Sequence, residues 1–255
     1  MAGEQTSLVA MKVIRSLGVL VVLVAFWKLM VLIFQPASFI FPSPEQVLHS
    51  IFENAGYLAG HAMTTLAEML AGLLVGSIAG ILTALMMAQF KLAERLMLPF
   101  IVTTQTLPVF AIAPLLVIWF GFGLGSKVVM ASLIIYFPIA SSFHDGLMRV
   151  EKTWIDLARG WGASPFQLLT KTKIPAALPS LASGLKIGAT LAPIGAIVGE
   201  WAGASSGLGY VMLQANARMQ TDLVFAGLLV LAVMAYGLRL MVTIGTDRLI
   251  FWKSN

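Results

Sequence analysis

Apolar runs long enough to cross a bilayer recur along this chain, and they constrain it more than any other feature. A helical crossing needs about 20 mostly apolar residues. Such runs are predicted at residues 17–34, 63–87, 98–120, 128–143, 181–198 and 223–244. Composition agrees: 59% of the residues are hydrophobic and only 11% charged, against about 25% charged in a soluble protein. In hydrocarbon every backbone N–H and C=O must be satisfied within the segment, which leaves helices or closed barrels. Runs of this length predict helices. The expected fold is therefore all-α: one polytopic membrane domain of about six transmembrane helices.

Charge sets the expected orientation. Of the sixteen Lys and Arg, those at 12, 15, 91, 95, 149, 152, 159, 171, 173, 248 and 253 fall on one side of this arrangement. Lys127 and Arg218 fall on the other, and Lys28, Lys186 and Arg239 lie within spans, where they can snorkel. Basic loops are retained in the cytoplasm, so both termini are expected inside. The net charge of +5 is scattered between apolar spans and is read as topology, not nucleic-acid binding. The chain has no cysteine, which excludes disulfide, thiolate and zinc-ribbon chemistry. The lone histidines His49 and His61 lack partners at ligand spacing and are expected to be solvated or interfacial. No metal site and no cofactor are expected.

The longest polar interruption is residues 151–179, EKTWIDLARGWGASPFQLLTKTKIPAALP. Within it Ser164, Pro165 and Gln167 read as a helix start. Ser164 suits the N-cap, Pro165 the first helical position, and Gln167 the reciprocal position of a capping box. Gly162 lets the preceding helix stop, and Pro175 and Pro179 punctuate the return to the membrane. A short helix with an apolar edge at Phe166, Leu168 and Leu169 is expected to face the cytosol, either on the lipid surface or against a partner.

This loop resembles the signature cytoplasmic loop of ABC-importer permeases. That pattern runs acid-Ala-Ala, three residues, Gly, nine residues, Ile-x-Leu-Pro. Asp156, Leu157 and Ala158 stand at the first position, Gly162 at the glycine, and Thr172, Lys173, Ile174 and Pro175 at the close. Asp156, Leu157, Thr172 and Ile174 depart from it, whereas Ala158, Gly162 and Pro175 keep residue and spacing. The resemblance implies a type I importer permease: an N-terminal span at 17–34, a core at about 61–250 and a coupling loop at 150–179. It implies that Asp156, Ala158, Gly162, Ala163, Ser164, Pro165, Phe166 and Pro175 couple the chain to an ATP-binding subunit, two copies of which are expected. A periplasmic or lipid-anchored solute-binding protein and a second permease chain, giving a homodimer, are implied too. The setting implied is the bacterial inner membrane.

The segments Leu107-Pro108, Ala113-Pro114-Leu115 and Trp119-Phe120-Gly121 resemble the branch for nitrate, sulfonate, taurine and pyrimidine precursors. Ala192-Pro193-Ile194-Gly195, Gly199-Glu200-Trp201 and residues 216–222 (NARMQTD) resemble permeases for hydroxymethylpyrimidine, a thiamine precursor.

Further signals come from the residues themselves. Gly72, Gly76 and Gly80 repeat at a spacing that lets helices approach closely in lipid. Gln105, Pro108 and Pro114 predict a bent or broken third span, the kind of helix from which transporters build sites. Glu68, Gln105, Glu200 and Trp201 are the candidate pathway residues, with packing or interfacial roles as the alternative for each; Glu68 in particular is either functional or simply wet. The Gly121–Lys127 turn lacks the Gly-Lys-Ser/Thr of a P-loop, so ATP binding is expected in another subunit. A different class of reading, an intramembrane serine hydrolase, rests on Ser205 and Ser206 with the scattered histidines. A Gly-rich turn explains those serines without chemistry.

Overall fold

The computed structural model describes residues 18–19, 21–106 and 108–250, except the side chains of 104–106. Its elements are α1 (Val21–Phe34), α2 (Pro44–Glu53), α3 (Ala55–Gln89), α4 (Lys91–Thr106), α5 (Val109–Phe120), α6 (Leu124–Met148), α7 (Lys152–Gly160), α8 (Pro165–Leu168), a π-helical turn (Leu169–Lys173), α9 (Ile174–Trp201), α10 (Leu208–Ala217) and α11 (Thr221–Leu249). The fold is all-helical. Among the described residues four helical stretches are long and apolar enough to cross a membrane: α3, α6, Pro165–Trp201 and α11; α1 and α5 are shorter apolar helices.

Two compact units form. One takes the described part of Met1–Leu58 with Val211–Leu229; the other takes Ala59–Tyr210 with the described part of Val230–Asn255. In the first, Trp27 of α1 packs on Phe41 and Phe225 and donates its indole N–H to the Pro42 carbonyl at 3.0 Å. Lys28 does more than snorkel: its Nζ lies 2.6 Å from Glu45 on α2. Ser43 caps α2 in a full capping box with Gln46, as its spacing predicts.

The second unit is built on glycines. Along α9, methyl groups added at Gly184, Gly188, Gly195 and Gly199 would meet Ile139, Ile135, Ala131 and Lys127 of α6 in turn. The two helices therefore run antiparallel at backbone contact. Along α3, Gly72, Gly76 and Gly80 meet Ala131, Ile135 and Ile139, a parallel approach. Lipid tails are as apolar as the side chains, so packing rather than water exclusion holds such helices, and small residues set the distance. Met69, Ala131, Ile135, Ile139, Ala189, Ala192 and Ala196 form the buried centre, with Leu238 of α11.

The third predicted span is broken. Pro108 has no N–H to donate; it ends the helical ladder and stands as N-cap of α5. At the polar loop the structure departs from the expected turn and return. Helix α8 continues through the π turn into α9, with Pro175 in the first turn of α9 and Pro179 inside it. In the π turn the Ile174 N–H reaches five residues back to the Leu169 carbonyl. Pro175 cannot bond the Lys171 carbonyl, and the wider turn carries the chain past that missing bond.

Candidate functional site

Two places gather the candidate residues. The first is buried, where α3, α6, α9 and the start of α10 meet. Glu200 sits in the last turn of α9 and is 1% exposed. A carboxylate there needs donors, since burying an unpaired charge costs several kcal/mol. It finds three. Thr65 Oγ1 donates to Oε1 at 2.6 Å, and the N–H groups of Gly209 and Tyr210 donate to Oε2 at 2.5 and 3.2 Å. The two amides open α10, so Glu200 occupies the anion position of a helix N-terminus. Thr65 in turn accepts from the Leu208 N–H at 2.8 Å. Gly207 holds φ +109 directly against the carboxylate, where a Cβ would collide with it.

Glu68, two turns before Gly76 on α3, is also 1% exposed. It is buried rather than wet, faces Glu200 and Lys127, and keeps Oε2 without a hydrogen bond. Lys127 was expected in an outer turn; it is 5% exposed and donates to the carbonyls of Phe122 and Gly123 at 2.7 and 3.0 Å. It folds back to close the turn between α5 and α6. Trp201 projects outward from the same end of α9, its indole N–H fixed on the Gly209 carbonyl at 3.1 Å. It borders a groove of about 380 Å³ lined by Phe110, Ala113, Pro114, Val198, Trp201 and Ala202. Gln105 lies near the end of α4, and its side chain is outside the described residues.

His61 corrects the sequence expectation. Its Nδ1 accepts the Gly207 N–H at 3.0 Å, and its ring lies 5.8 Å from that of Tyr210. One turn of helix α3 separates it from Thr65, which places both on the face toward α10. The turn between α9 and α10 also holds Ser205 and Ser206, but the nitrogen His61 brings to it is bonded to the Gly207 amide. Thr65 was missed because nothing local marks it; only its contact with Glu200, 135 residues away, reveals it, and the tie of His61 to Gly207 is as remote. Gly209, also missed, lies only nine residues from the carboxylate it meets.

The second place is the loop. Helix α7 buries none of its residues, and Trp154, Leu157 and Trp161 stand exposed along it. Asp156 and Arg159 approach only to 4.0 Å, and Ala158 lies between them. Gly162 takes φ +78, a conformation glycine reaches without strain, and Ala163 follows. Ser164 Oγ then accepts the Gln167 N–H at 3.2 Å while Gln167 Oε1 accepts the Ser164 N–H at 2.9 Å, the predicted capping box. Pro165 takes the first helical position, and Phe166 is 70% exposed. Leu168 and Leu169 turn inward, Leu169 packing with Phe143, Leu147 and Ala177. A capped finger thus presents one aromatic ring to its surroundings.

The family model for "Binding-protein-dependent transport system inner membrane component" matches residues 72–250. The chain belongs to that family. This permease is 47% identical over 220 residues to a probable ABC transporter permease protein of Haemophilus influenzae, covering 86% of this chain and 90% of that one. It is 36% identical to the formylaminopyrimidine transport permease protein ThiX of Halalkalibacterium halodurans, covering 83% and 85%. It is 32% identical to the riboflavin transport system permease protein RibX of Chloroflexus aurantiacus, covering 92% and 89%. Its fold matches a chain of the MetNI methionine ABC transporter in an inward-facing form, with TM-score 0.63 at 19% identity, over 78% of this chain and 96% of that one. The permease is thus a multi-pass membrane subunit of ABC-type transport.

Proposed function

We propose that residues 1–255 act as one permease domain of an ATP-driven importer that admits a small planar heteroaromatic solute, a hydroxymethylpyrimidine-type thiamine precursor. The observation that carries the substrate class is the groove beside Trp201. Phe110 and Trp201 bring aromatic rings to it and Pro114 an apolar one, and among the described residues no charged side chain lines it. Such walls suit a stacked ring. A sulfonate, taurine or nitrate would have to leave water without a cation to meet it. Similarity to a formylaminopyrimidine permease and a riboflavin permease, both named for flat heteroaromatic solutes, supports the same choice.

The permease itself catalyses nothing in this reading. Two ATP-binding subunits lie beneath a pair of identical permease chains in the bacterial inner membrane, and a periplasmic or lipid-anchored binding protein delivers the solute. Both termini and the 150–179 loop face the cytoplasm. Asp156, Ala158, Gly162, Ala163, Ser164, Pro165, Phe166 and Pro175 form the coupling loop, with Phe166 the ring that enters the ATPase. Closure of the ATPase pair on ATP draws the two fingers together. Because α8 runs through the π turn into α9 without a hinge loop, that displacement reaches Glu200 and Trp201 along one helix. Glu68, Gln105, Glu200 and Trp201 lie on or behind the pathway.

The test is uptake by cells making the permease with its cognate ATPase and binding protein. Trp201→Ala is expected to cut uptake of labelled hydroxymethylpyrimidine about tenfold, from lost stacking worth about 1.5 kcal/mol, with membrane levels unchanged. Uptake of taurine in place of the pyrimidine, or indifference to Trp201→Ala, would refute the substrate class. Retained solute-stimulated ATP hydrolysis in Phe166→Asp would refute the coupling role.

A further inference from the structure

A second cavity, of about 500 Å³, lies at the opposite end of α9 from Trp201. It is lined by Gly146, Arg149, Val150, Glu151, Trp154, Lys171, Thr172, Ala176 and Ser180. Four features converge there. Neither Arg149 nor Lys171 takes part in an ion pair among the described residues. Lys171 and Thr172 lie on the π turn, whose extra residue per turn shifts their direction relative to an α-helix; π turns of this kind recur at functional sites. Gly146 lets Ser180 approach α6 so closely that a Cβ at 146 would come within 2.6 Å of Ser180 Cβ. That gives the cavity a firm floor with a hydroxyl at its edge. Trp154 stands exposed at the rim.

The one carboxylate lining the cavity is Glu151. It is the N-cap residue of α7, near the positive end of the helix dipole but without a side-chain capping bond. Two cations, two hydroxyls and an indole remain to face a ligand. This is chemistry for a phosphate oxyanion held at the depth of a membrane surface, because Trp and basic side chains gather at the headgroup level, and basic pockets between helices on the cytoplasmic side take anionic headgroups.

We propose that this cavity binds the phosphate headgroup of an anionic phospholipid from the cytoplasmic leaflet. The proposal rests on the inward orientation given under Proposed function. The lipid wedges between α7 and the π turn, and so sits at the root of the coupling finger. Its presence stiffens the joint through which force from the ATPase enters α9.

The test uses the full-length permease in nanodiscs of mixed phosphatidylglycerol and phosphatidylcholine, with tightly held lipid read by native mass spectrometry. Arg149→Ala with Lys171→Ala is expected to lower phosphatidylglycerol retention about tenfold or more, at about 1 kcal/mol per basic residue. The control pair Lys91→Ala with Arg95→Ala removes the same charge from the start of α4 and should leave retention unchanged. An equal loss in both pairs would reduce the effect to bulk surface charge and overturn the proposal. So would displacement of the lipid by inorganic phosphate, which would make the ligand a soluble anion. Unchanged lipid retention with lost ATPase binding would assign the cavity to the protein partner instead. Orientation is read separately from a Gly160→Cys variant: labelling by an impermeant maleimide from outside would refute the inward orientation, whatever the lipid result.

Discussion

Thr65 Oγ1 donates to Glu200 Oε1 at 2.6 Å across 135 residues of chain. The same carboxylate holds amides in the first turn of α10, so one side chain ties the first third of α3, the end of α9 and the start of α10. Glu200→Ala would leave the Gly209 and Tyr210 N–H groups without their acceptor in a buried site and turn the Thr65 hydroxyl back to the His61 carbonyl, 3.4 Å away. Hydrogen bonds to a charged group contribute about 1.5–3 kcal/mol each, so the variant is expected to lose at least about 3 kcal/mol. Glu200→Gln, which keeps an acceptor, should lose less. Denaturant unfolding in micelles reads the difference. Full stability with abolished uptake would instead assign Glu200 to solute contact alone.

Ala131 lies between Gly72 on one side and Gly195 on the other. Gly195→Leu would force α6 and α9 apart and is expected to cost at least about 1–3 kcal/mol, seen as a lower thermal midpoint and poor yield. Gly245→Ala is the opposite case. Its surroundings are open and it lies inside α11, so alanine should be neutral or gain up to about 1 kcal/mol.

Ser164 pre-shapes the finger that carries Phe166. Ser164→Ala removes one half of the capping box, a loss of about 1 kcal/mol. Because the finger is exposed, the loss should surface mainly as roughly fivefold weaker association with the ATPase subunit, measured by titration. Ser164→Asp should restore it, since aspartate caps equally well.

Glu45 offers a pH readout away from the membrane spans. The hydrogen bond from Lys28, helped by the residue's own backbone N–H, holds its carboxyl below the ordinary value of 4.5. A carboxyl lowered by folding stabilises the fold above that ordinary value, and the contribution fades as pH falls through the lowered one. Lys28→Ala is therefore expected to raise the Glu45 midpoint toward 4.5, followed by carboxyl NMR. Both partners are exposed, so global stability should change little.

The sequence was informative where a signal is local. Ser43 and Ser164 both cap as their spacing predicts, Pro108 breaks the third span, and the Gly72-Gly76-Gly80 repeat meets α6 at backbone distance. It was mute where the partner is remote. Nothing near His61 or Thr65 marks a tie to the start of α10. The π turn was hidden for another reason. Pro175 signals an interruption, but whether the helix stops or widens depends on how Leu169 and Ala177 pack against Phe143 and Leu147.

Coupling through the finger centred on Phe166 requires that the ring face the cytoplasm and be covered by the ATPase subunit, and both are measurable. The chain has no cysteine, so a Phe166→Cys variant carries a single reporter. An impermeant maleimide is expected to give no labelling in intact cells, rapid labelling in inverted vesicles of the permease alone, and protection once the ATPase subunit is bound. Labelling from outside, or labelling in inverted vesicles that the bound ATPase leaves unchanged, would contradict coupling through the finger.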